Sequence, residues 1–250
     1  MIWLGPRAGE HFAGLAFEQY FALGRELVKQ SRDGSRRTAA FERGGRRYFV
    51  KTHAGTGWRE IAKNWLSLKA PVVDAGTEAR ALLLAEERDL AAPRLVAWGV
   101  EGANPATRRS FVVTEALPES ERLSVALAAE LARGVARRHA LTRALAELVR
   151  DLHAAPLAHR DLYLEHVFLV HAGTPAEPRL FLLDLHRAAP PRRAEPAFVK
   201  DLAALYGSAR RHGATRADAL RFLRLYRPES ERARLLALFR ACARRARAAR

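Results

Sequence analysis

The stretch HRDLYLEH, residues His159 to His166, decides the fold, and it lies between a long amphipathic helical region and a short apolar run. Phosphoryl transfer requires a carboxylate that orients the attacking hydroxyl and accepts its proton, with a metal-side residue a few positions along the same loop. Asp161 has the position of that base, and His166 has the position at which classical protein kinases place asparagine. A short HRD string also occurs in ordinary loops, so further residues are needed to separate the two interpretations.

Asp184 is the second candidate, because it ends the apolar run RLFLLDL, residues 179–185. A carboxylate at the end of a strand, shortly after an HRD loop, occupies the position at which a protein kinase binds its nucleotide-associated metal. The next residues are Leu185 and His186 instead of Phe-Gly, which keeps the carboxylate and removes the phenylalanine-based switch. The alternative is an aspartate that only ends a strand at a turn.

Lys51, in the apolar run RRYFVKTH, is the third candidate. The chain has only five lysines among 43 basic residues, so a retained lysine indicates a need for a compact ammonium group, as in a contact with nucleotide phosphates. Glu78, in the first turns of a following helix, is the expected ion-pair partner, and Glu60 and Glu86 are competitors. A solvent-facing strand lysine is the alternative.

The segment SRDGSRR, residues 31–37, stands where a protein kinase has its glycine-rich phosphate cover, and it contains only Gly34. Backbone amides of a tight turn at Gly34 are suited to phosphate oxygens. A plain hairpin turn explains the same residues equally well, since Asp-Gly is a strong hairpin signal.

The pattern of apolar residues and turn signals predicts a β-rich first part. The predicted strands are 26–30, 36–43, 46–53, 93–100 and 108–117, with helices at 58–68 and 74–90, the second capped by Asp74.

The rest of the chain is predicted to be mainly helical. An amphipathic region over 123–152 is broken near Gly134, a hairpin joins 167–170 to 179–185, and the tail from about Phe198 is helical again. The order predicts an α+β, two-lobed protein-kinase-like fold. Its small N-lobe, with an antiparallel sheet and one key helix, covers residues 1–116, and its mainly helical C-lobe covers 117–250.

Composition narrows the possible partners. The net charge of +16 favours an anionic partner such as nucleic acid, an acidic membrane surface or a phosphorylated substrate, although much of it also fits a solvated, arginine-biased surface. No zinc pattern or basic strip interleaved with aromatics indicates specific nucleic-acid binding. A lone Cys242 excludes an internal disulfide. Without a signal-peptide pattern or a long apolar run, we expect a cytoplasmic protein.

HRDLYLEH followed by LLDLHRA is similar to the catalytic signature of the lipopolysaccharide kinase family, the heptose and Kdo kinases of the WaaP type. The shared features include His166 and the Asp-Leu-His sequence. Two further segments, WREIAKNWLSLKAPVVDAGTEARALLL and KDLAALYGSARRHGATRADALRFLRLY, also resemble this family. The resemblance therefore extends from about Arg47 to Tyr226.

This resemblance implies a kinase that uses ATP and Mg²⁺ to phosphorylate a sugar hydroxyl of the lipopolysaccharide inner core. It implies Asp161 as the base, His166 and Asp184 on the metal side, Lys51 as the phosphate contact and Glu78 as its partner. Because Mg²⁺ prefers oxygen ligands, the alternative role of His166 is to position Asp161 or the phosphate. The implied partners are the inner-core glycolipid and, peripherally, the anionic inner face of the inner membrane, near which the arginine-rich C-terminus would contact headgroup phosphates.

Three alternatives stay open at this stage. The sugar is heptose in preference to Kdo, although no motif names it. An atypical protein kinase or an aminoglycoside-type phosphotransferase shares the fold and the same residue logic. A pseudokinase binding module would hold nucleotide, nucleic acid or membrane without transferring phosphate, and ATP turnover separates it from the other two.

Overall fold

The structure, a computed structural model, describes residues 1–31, 34–66 and 74–248. The chain forms two compact units. The first contains Met1–Leu83 and Pro93–Ala116, and the second contains Leu84–Ala92 and Leu117–Arg250. Residues 84–92 group with the second unit, where the Leu182 N–H donates to the Ala91 carbonyl at 2.8 Å.

The first unit is built on a six-stranded antiparallel sheet with the order β1-β5-β6-β4-β3-β2. Its elements are β1 (Ile2–Leu4), α1 (Gly9–Phe12), α2 (Phe17–Phe21), β2 (Glu26–Gln30), β3 (Arg36–Arg43), β4 (Arg46–His53), α3 (Trp58–Leu66), α4 (Gly76–Glu87), β5 (Leu95–Glu101) and β6 (Arg109–Glu115). The last turn of α4 belongs to the second unit.

All five predicted strands of this part are confirmed. Strand β5 begins two residues and ends one residue later than predicted, and β6 begins one residue later and ends two residues earlier. The end of the predicted helix 58–68 lies outside the described residues. Asp74 caps α4 as predicted, since its Oδ1 accepts the Gly76 N–H at 2.8 Å. The helix ends at Glu87, earlier than predicted, because Asp89 takes a left-handed φ of +51° and the Leu90 N–H returns to the Ala85 carbonyl at 2.8 Å.

The N-terminal segment, for which the sequence predicts no element, covers one face of this sheet. Phe12 of α1 and Tyr20 of α2 are fully buried. The Tyr20 ring stacks on Phe111 of β6 at 4.7 Å between centroids, and Phe12 lies edge-on to Tyr48 of β4 at 5.1 Å. The Tyr20 hydroxyl donates to the Phe12 carbonyl, so the two short helices are tied to each other and to the aromatic core.

The second unit is mainly helical and carries a three-stranded sheet with the order β7-β8-β9. Its elements are β7 (Ser120–Arg122), α5 (Leu123–Ala132), α6 (Val135–Ala154), β8 (Val167–Val170), β9 (Arg179–Leu182), α7 (Ala194–Arg211), α8 (Arg216–Tyr226) and α9 (Arg232–Ala248).

The predicted break near Gly134 is confirmed, since this glycine separates α5 from α6 with φ +110°. The predicted hairpin is also confirmed, as β8 and β9 pair antiparallel from Val167↔Leu182 to Val170↔Arg179. Strand β9 ends at Leu182, three residues before the predicted end, because Asp184 takes a left-handed conformation with φ +60°. Within residues 1–31, 34–66 and 74–248, no helix is long and apolar enough to cross a lipid bilayer.

Candidate active site

In the first unit, the lysine and glutamate singled out in the sequence form an ion pair. Lys51 lies on β4, which is paired on both sides, by β3 and β6. Its Nζ is 2.5 Å from Oε1 of Glu78, in the first turn of α4. Glu78 is buried, and its Oε2 has no hydrogen-bond partner among the described residues. A buried carboxylate requires a cation beside it, so the pair fixes the position of the Lys51 ammonium.

Gly34 lies in the turn between β2 and β3, with φ +71°. Its N–H donates to the Ser31 carbonyl at 3.0 Å, and the Ser31 N–H donates to Arg36 at 2.9 Å, as in a hairpin turn. The preceding Asp33 lies outside the described residues. A phosphate contact at Gly34 therefore stays a prediction.

In the second unit, the segment from His159 to Asp161 forms a loop with an unusual backbone. His159 is fully buried, and its Nε2–H donates to the Leu183 carbonyl at 3.1 Å. Arg160 has φ +69°, a left-handed conformation that costs a non-glycine residue about 1–2 kcal/mol. The surrounding contacts must hold the loop in this shape. The Asp161 carboxylate is partly exposed, and its Oδ2 lies 3.4 Å from Nε of Arg187.

His166 lies between the two aspartates singled out in the sequence, Asp161 and Asp184. Its Nδ1–H donates to the main-chain carbonyl of Asp161 at 2.8 Å, so the ring position is tied to the residue expected to be the base. Its Nε2 lies 3.6 Å from Oδ2 of Asp184. With Nδ1 as the donor, a neutral ring presents the Nε2 lone pair to this carboxylate.

Asp184 is held from its other side by His186, whose Nδ1–H donates to Oδ1 at 2.7 Å. One imidazole nitrogen and one carboxylate oxygen that face each other at this separation fit a shared divalent cation, which would remove the repulsion between the two lone pairs. Among the described residues, no group of three or more His, Cys, Asp or Glu side chains is arranged around a metal position. His166 and Asp184 would therefore supply only part of a coordination shell, and in kinases nucleotide phosphates and water complete it.

Helix α7 supplies the residues that the sequence reasoning missed. Asp201 is buried, and its Oδ2 and Oδ1 accept the backbone N–H groups of His159 at 2.7 Å and of Arg160 at 2.8 Å. Ser208, two turns later on α7, accepts the Leu164 N–H at 3.1 Å. One helix therefore anchors both ends of the catalytic loop candidate. One sequence pattern could have identified them. The spacing of Asp201, Leu205 and Ser208 places two polar residues on the apolar face of an amphipathic helix, where polar residues are unusual.

These features define a protein-kinase-like phosphotransferase. The first unit carries a lysine on an antiparallel sheet, paired with a glutamate on helix α4. The second unit carries an HRD loop and an aspartate after a β-hairpin. The predicted α+β protein-kinase-like fold is confirmed.

Residues 23–226 match the model of the lipopolysaccharide kinase (Kdo/WaaP) family, and the chain belongs to this family. It is 45% identical over 200 residues to the lipopolysaccharide core heptose(I) kinase WaaP of Pseudomonas aeruginosa, covering 76% of this chain and 73% of that protein. It is 38% identical over 219 residues to the protein of the same name from Escherichia coli, covering 84% and 80%. A solved structure described as WaaP in complex with acyl carrier protein aligns with TM-score 0.76 and 32% identity over 98% of this chain and 99% of that one. The family membership predicted from HRDLYLEH and LLDLHRA is confirmed.

Burial of His159 generates a prediction about pH. Burial lowers the pKa of its imidazole below the ordinary 6.5, against the opposing charge of Asp201. Below about pH 6.5 the unfolded chain therefore binds a proton that the folded chain excludes, and the free energy of unfolding falls by up to about 1.4 kcal/mol per pH unit. Urea unfolding between pH 7 and 5 should show a shallower fall in His159→Gln, whose amide is able to donate to Leu183. His11→Gln, which replaces an exposed histidine, is the control, and equal slopes in His159→Gln and the wild type would contradict the assignment.

Proposed function

We propose that this chain transfers the γ-phosphoryl group of ATP to a heptose hydroxyl of the lipopolysaccharide inner core. The observation that carries the proposal is the arrangement of one loop, in which His166 bonds to the Asp161 main chain and faces Asp184. The name shared by the curated relatives supports heptose as the acceptor. The family description also includes Kdo, which is the alternative sugar.

In this mechanism Asp161 orients the sugar hydroxyl and accepts its proton as the oxygen attacks the γ-phosphorus. Its carboxylate is exposed enough to meet a substrate, while the loop beneath it is fixed by Asp201. Arg187, with Nε 3.4 Å from Asp161 Oδ2, restricts the rotation of the carboxylate. The base is therefore oriented before the acceptor binds, which reduces the entropy lost on the way to the transition state.

Lys51 contacts the ATP phosphates, and Glu78 keeps its ammonium in place through the 2.5 Å ion pair. On the metal side, Asp184 and Nε2 of His166 would hold Mg²⁺, which when bound neutralises phosphate charge. His186 fixes the Asp184 carboxylate through the 2.7 Å hydrogen bond, in the chain position where classical kinases have glycine. Gly34 remains a candidate for the phosphate side of the β2–β3 turn.

Replacing the base tests the proposed function. Asp161→Asn keeps the shape of the side chain and removes the proton acceptor, so kcat should fall by about 10²–10⁴-fold, the usual contribution of a general base. The KM for ATP should change far less, because Asp161 acts on the acceptor. The assay is ADP release with Mg²⁺ and a lipopolysaccharide core that lacks phosphate. Asp151→Asn, an exposed aspartate on α6, is the matched control. An Asp161→Asn enzyme as active as this control would refute the role.

A second property is favoured by an apolar cavity in the second unit. Its walls come from α5 to α9 and include Leu131, Leu205, Phe222 and Phe239. Burial raises the pKa of the Cys242 thiol in this wall to about 11, so the thiol stays neutral and unreactive at physiological pH. A cavity with a mainly apolar wall favours an apolar group, such as part of an alkyl chain. Since the solved relative is described in complex with acyl carrier protein, we propose that this chain also binds that protein and takes its acyl chain into the cavity.

Two alanines on α8 provide a matched test of the cavity. Ala219 lines it, whereas Ala217 is exposed on the same helix. Ala219→Phe fills the space, so its affinity for acylated carrier protein should fall by about tenfold or more, a loss typical of an excluded apolar contact, while Ala217→Phe binds like the wild type. Calorimetric titration measures both. Equal binding of carrier protein with and without its acyl chain would argue against the cavity as the acyl site.

We propose that α9 makes a peripheral contact with the membrane. This helix carries six exposed arginines and no acidic residue, and none of the six forms an ion pair with another described residue: Arg232, Arg234, Arg240, Arg244, Arg245 and Arg247. Near an anionic bilayer each arginine contributes about 1 kcal/mol. Such a contact would keep the kinase close to a glycolipid acceptor.

Sedimentation with vesicles that contain anionic phospholipid tests this assignment. The triple variant Arg240→Gln, Arg244→Gln and Arg247→Gln should lose about 3 kcal/mol of binding free energy, and added salt should weaken the wild type in the same direction. The control neutralises the same charge elsewhere in the second unit, through Arg143→Gln, Arg150→Gln and Arg179→Gln. If both triple variants lose binding equally, the effect is net charge and not α9.

A further inference from the structure

The carboxylate of Asp201 is the buried charge on which the catalytic loop depends. It is 1% exposed and accepts both the His159 and the Arg160 backbone N–H groups. A buried carboxylate is tolerated only when its oxygens are well satisfied, and the two loop amides provide one bond to each oxygen. Any group that fixes the plane of this carboxylate also fixes the strained Arg160 backbone.

His153, near the end of α6, is directed at this carboxylate. Its ring is buried, stacks on Phe198 with centroids 4.0 Å apart, and has its Nε2 3.5 Å from Asp201 Oδ2. At this separation Nε2 has no hydrogen bond, and it is a buried polar atom without another partner among the described residues. A shift of a few tenths of an ångström brings it into hydrogen-bond range.

The other ring nitrogen determines which tautomer His153 adopts. Its Nδ1 lies 2.7 Å from the Tyr226 hydroxyl. Burial raises the pKa of Tyr226 to about 12, so the hydroxyl keeps its proton and is able to donate it to Nδ1. A neutral ring then carries its own proton on Nε2, facing Asp201. The opposite tautomer would place two lone pairs against each other between two buried side chains.

We propose that His153 is a positioning residue for the catalytic loop: its Nε2–H, set by Tyr226, holds the Asp201 carboxylate in the orientation that accepts the two loop amides. The chain of contacts runs from Tyr226 through His153 and Asp201 to the backbone that carries Asp161. His153 itself touches no reacting group. Its effect on catalysis rests on the proposed function, but its effect on the loop amides does not.

Two substitutions at His153 separate the positioning role from simple packing. The amide nitrogen of His153→Gln reaches the place of Nε2 and keeps a donor for Asp201, whereas His153→Asn places its amide near Nδ1 and keeps only the Tyr226 side. Both remove the aromatic ring from its stack on Phe198. A packing role predicts equal losses, and the positioning role predicts a loss in His153→Asn that His153→Gln rescues.

Two measurements are made on each full-length variant. Hydrogen exchange of the His159 and Arg160 amides should accelerate by about tenfold or more in His153→Asn and stay near wild type in His153→Gln. In the kinase assay, kcat of His153→Asn should fall about 10- to 100-fold with the KM for ATP little changed, as expected for a small displacement of the base. Tyr226→Phe keeps both rings and removes the donor to Nδ1, so it should accelerate exchange at the same amides.

The outcomes are distinct. Equal exchange and equal kcat in the Asn and Gln variants, or wild-type exchange in Tyr226→Phe, would overturn the positioning role. A wild-type protein without kinase activity would refute the proposed function, and the exchange comparison would still decide the inference. If one His153 variant fails to fold, Tyr226→Phe against the wild type still decides it.

Discussion

The two hydrogen bonds from the His159 and Arg160 amides to Asp201 are the interaction on which the candidate active site depends. Arg160 occupies a left-handed conformation that only strong local contacts sustain. The buried carboxylate provides these contacts, and each amide in turn offsets part of the desolvation of the charge. Ser208 on the same helix accepts an amide at the far end of the loop, so Asp161 stands on a segment that α7 fixes at both ends.

Within each unit, the residues that would act on ATP are held in place by a neighbouring side chain. Lys51 is oriented by a buried glutamate, and Asp184 is oriented by His186, which replaces the glycine of the classical motif. His166 links the loop to Asp184, since its two nitrogens face the Asp161 carbonyl and the Asp184 carboxylate. Preorganisation of this kind is the main contribution that a protein makes to phosphoryl transfer, where positioning and electrostatics dominate.

The sequence predicts most of this arrangement, for reasons that differ from residue to residue. The HRD loop and the aspartate after β9 lie close together in the chain and form a recognisable signature. Lys51 is predicted because lysine is rare in this chain and this one lies in a strand. Glu78 is predicted because it is an acidic residue in the first turn of a following helix. The sequence predicts strands β2, β3 and β4 at their observed bounds because turn residues directly separate one strand from the next.

The missed features are those that local patterns do not encode. Asp201 bonds to residues 41 and 42 positions earlier, and only the fold shows that pairing. Helices α1 and α2 have four and five residues, too short for a helical period, and tertiary packing of Phe12 and Tyr20 forms them. The left-handed Asp184 shortened β9 because a strand pattern does not reveal the backbone conformation at its end.

The most direct test of the central claim is the position of the phosphate in the product. The purified protein, incubated with ATP, Mg²⁺ and a phosphate-free lipopolysaccharide core, should add one phosphate to a heptose, as located by tandem mass spectrometry of the released sugar. The same incubation with Asp161→Asn should leave the core unmodified. Phosphate on Kdo would correct the acceptor, and a core unmodified by the wild type while ATP still binds would contradict the account.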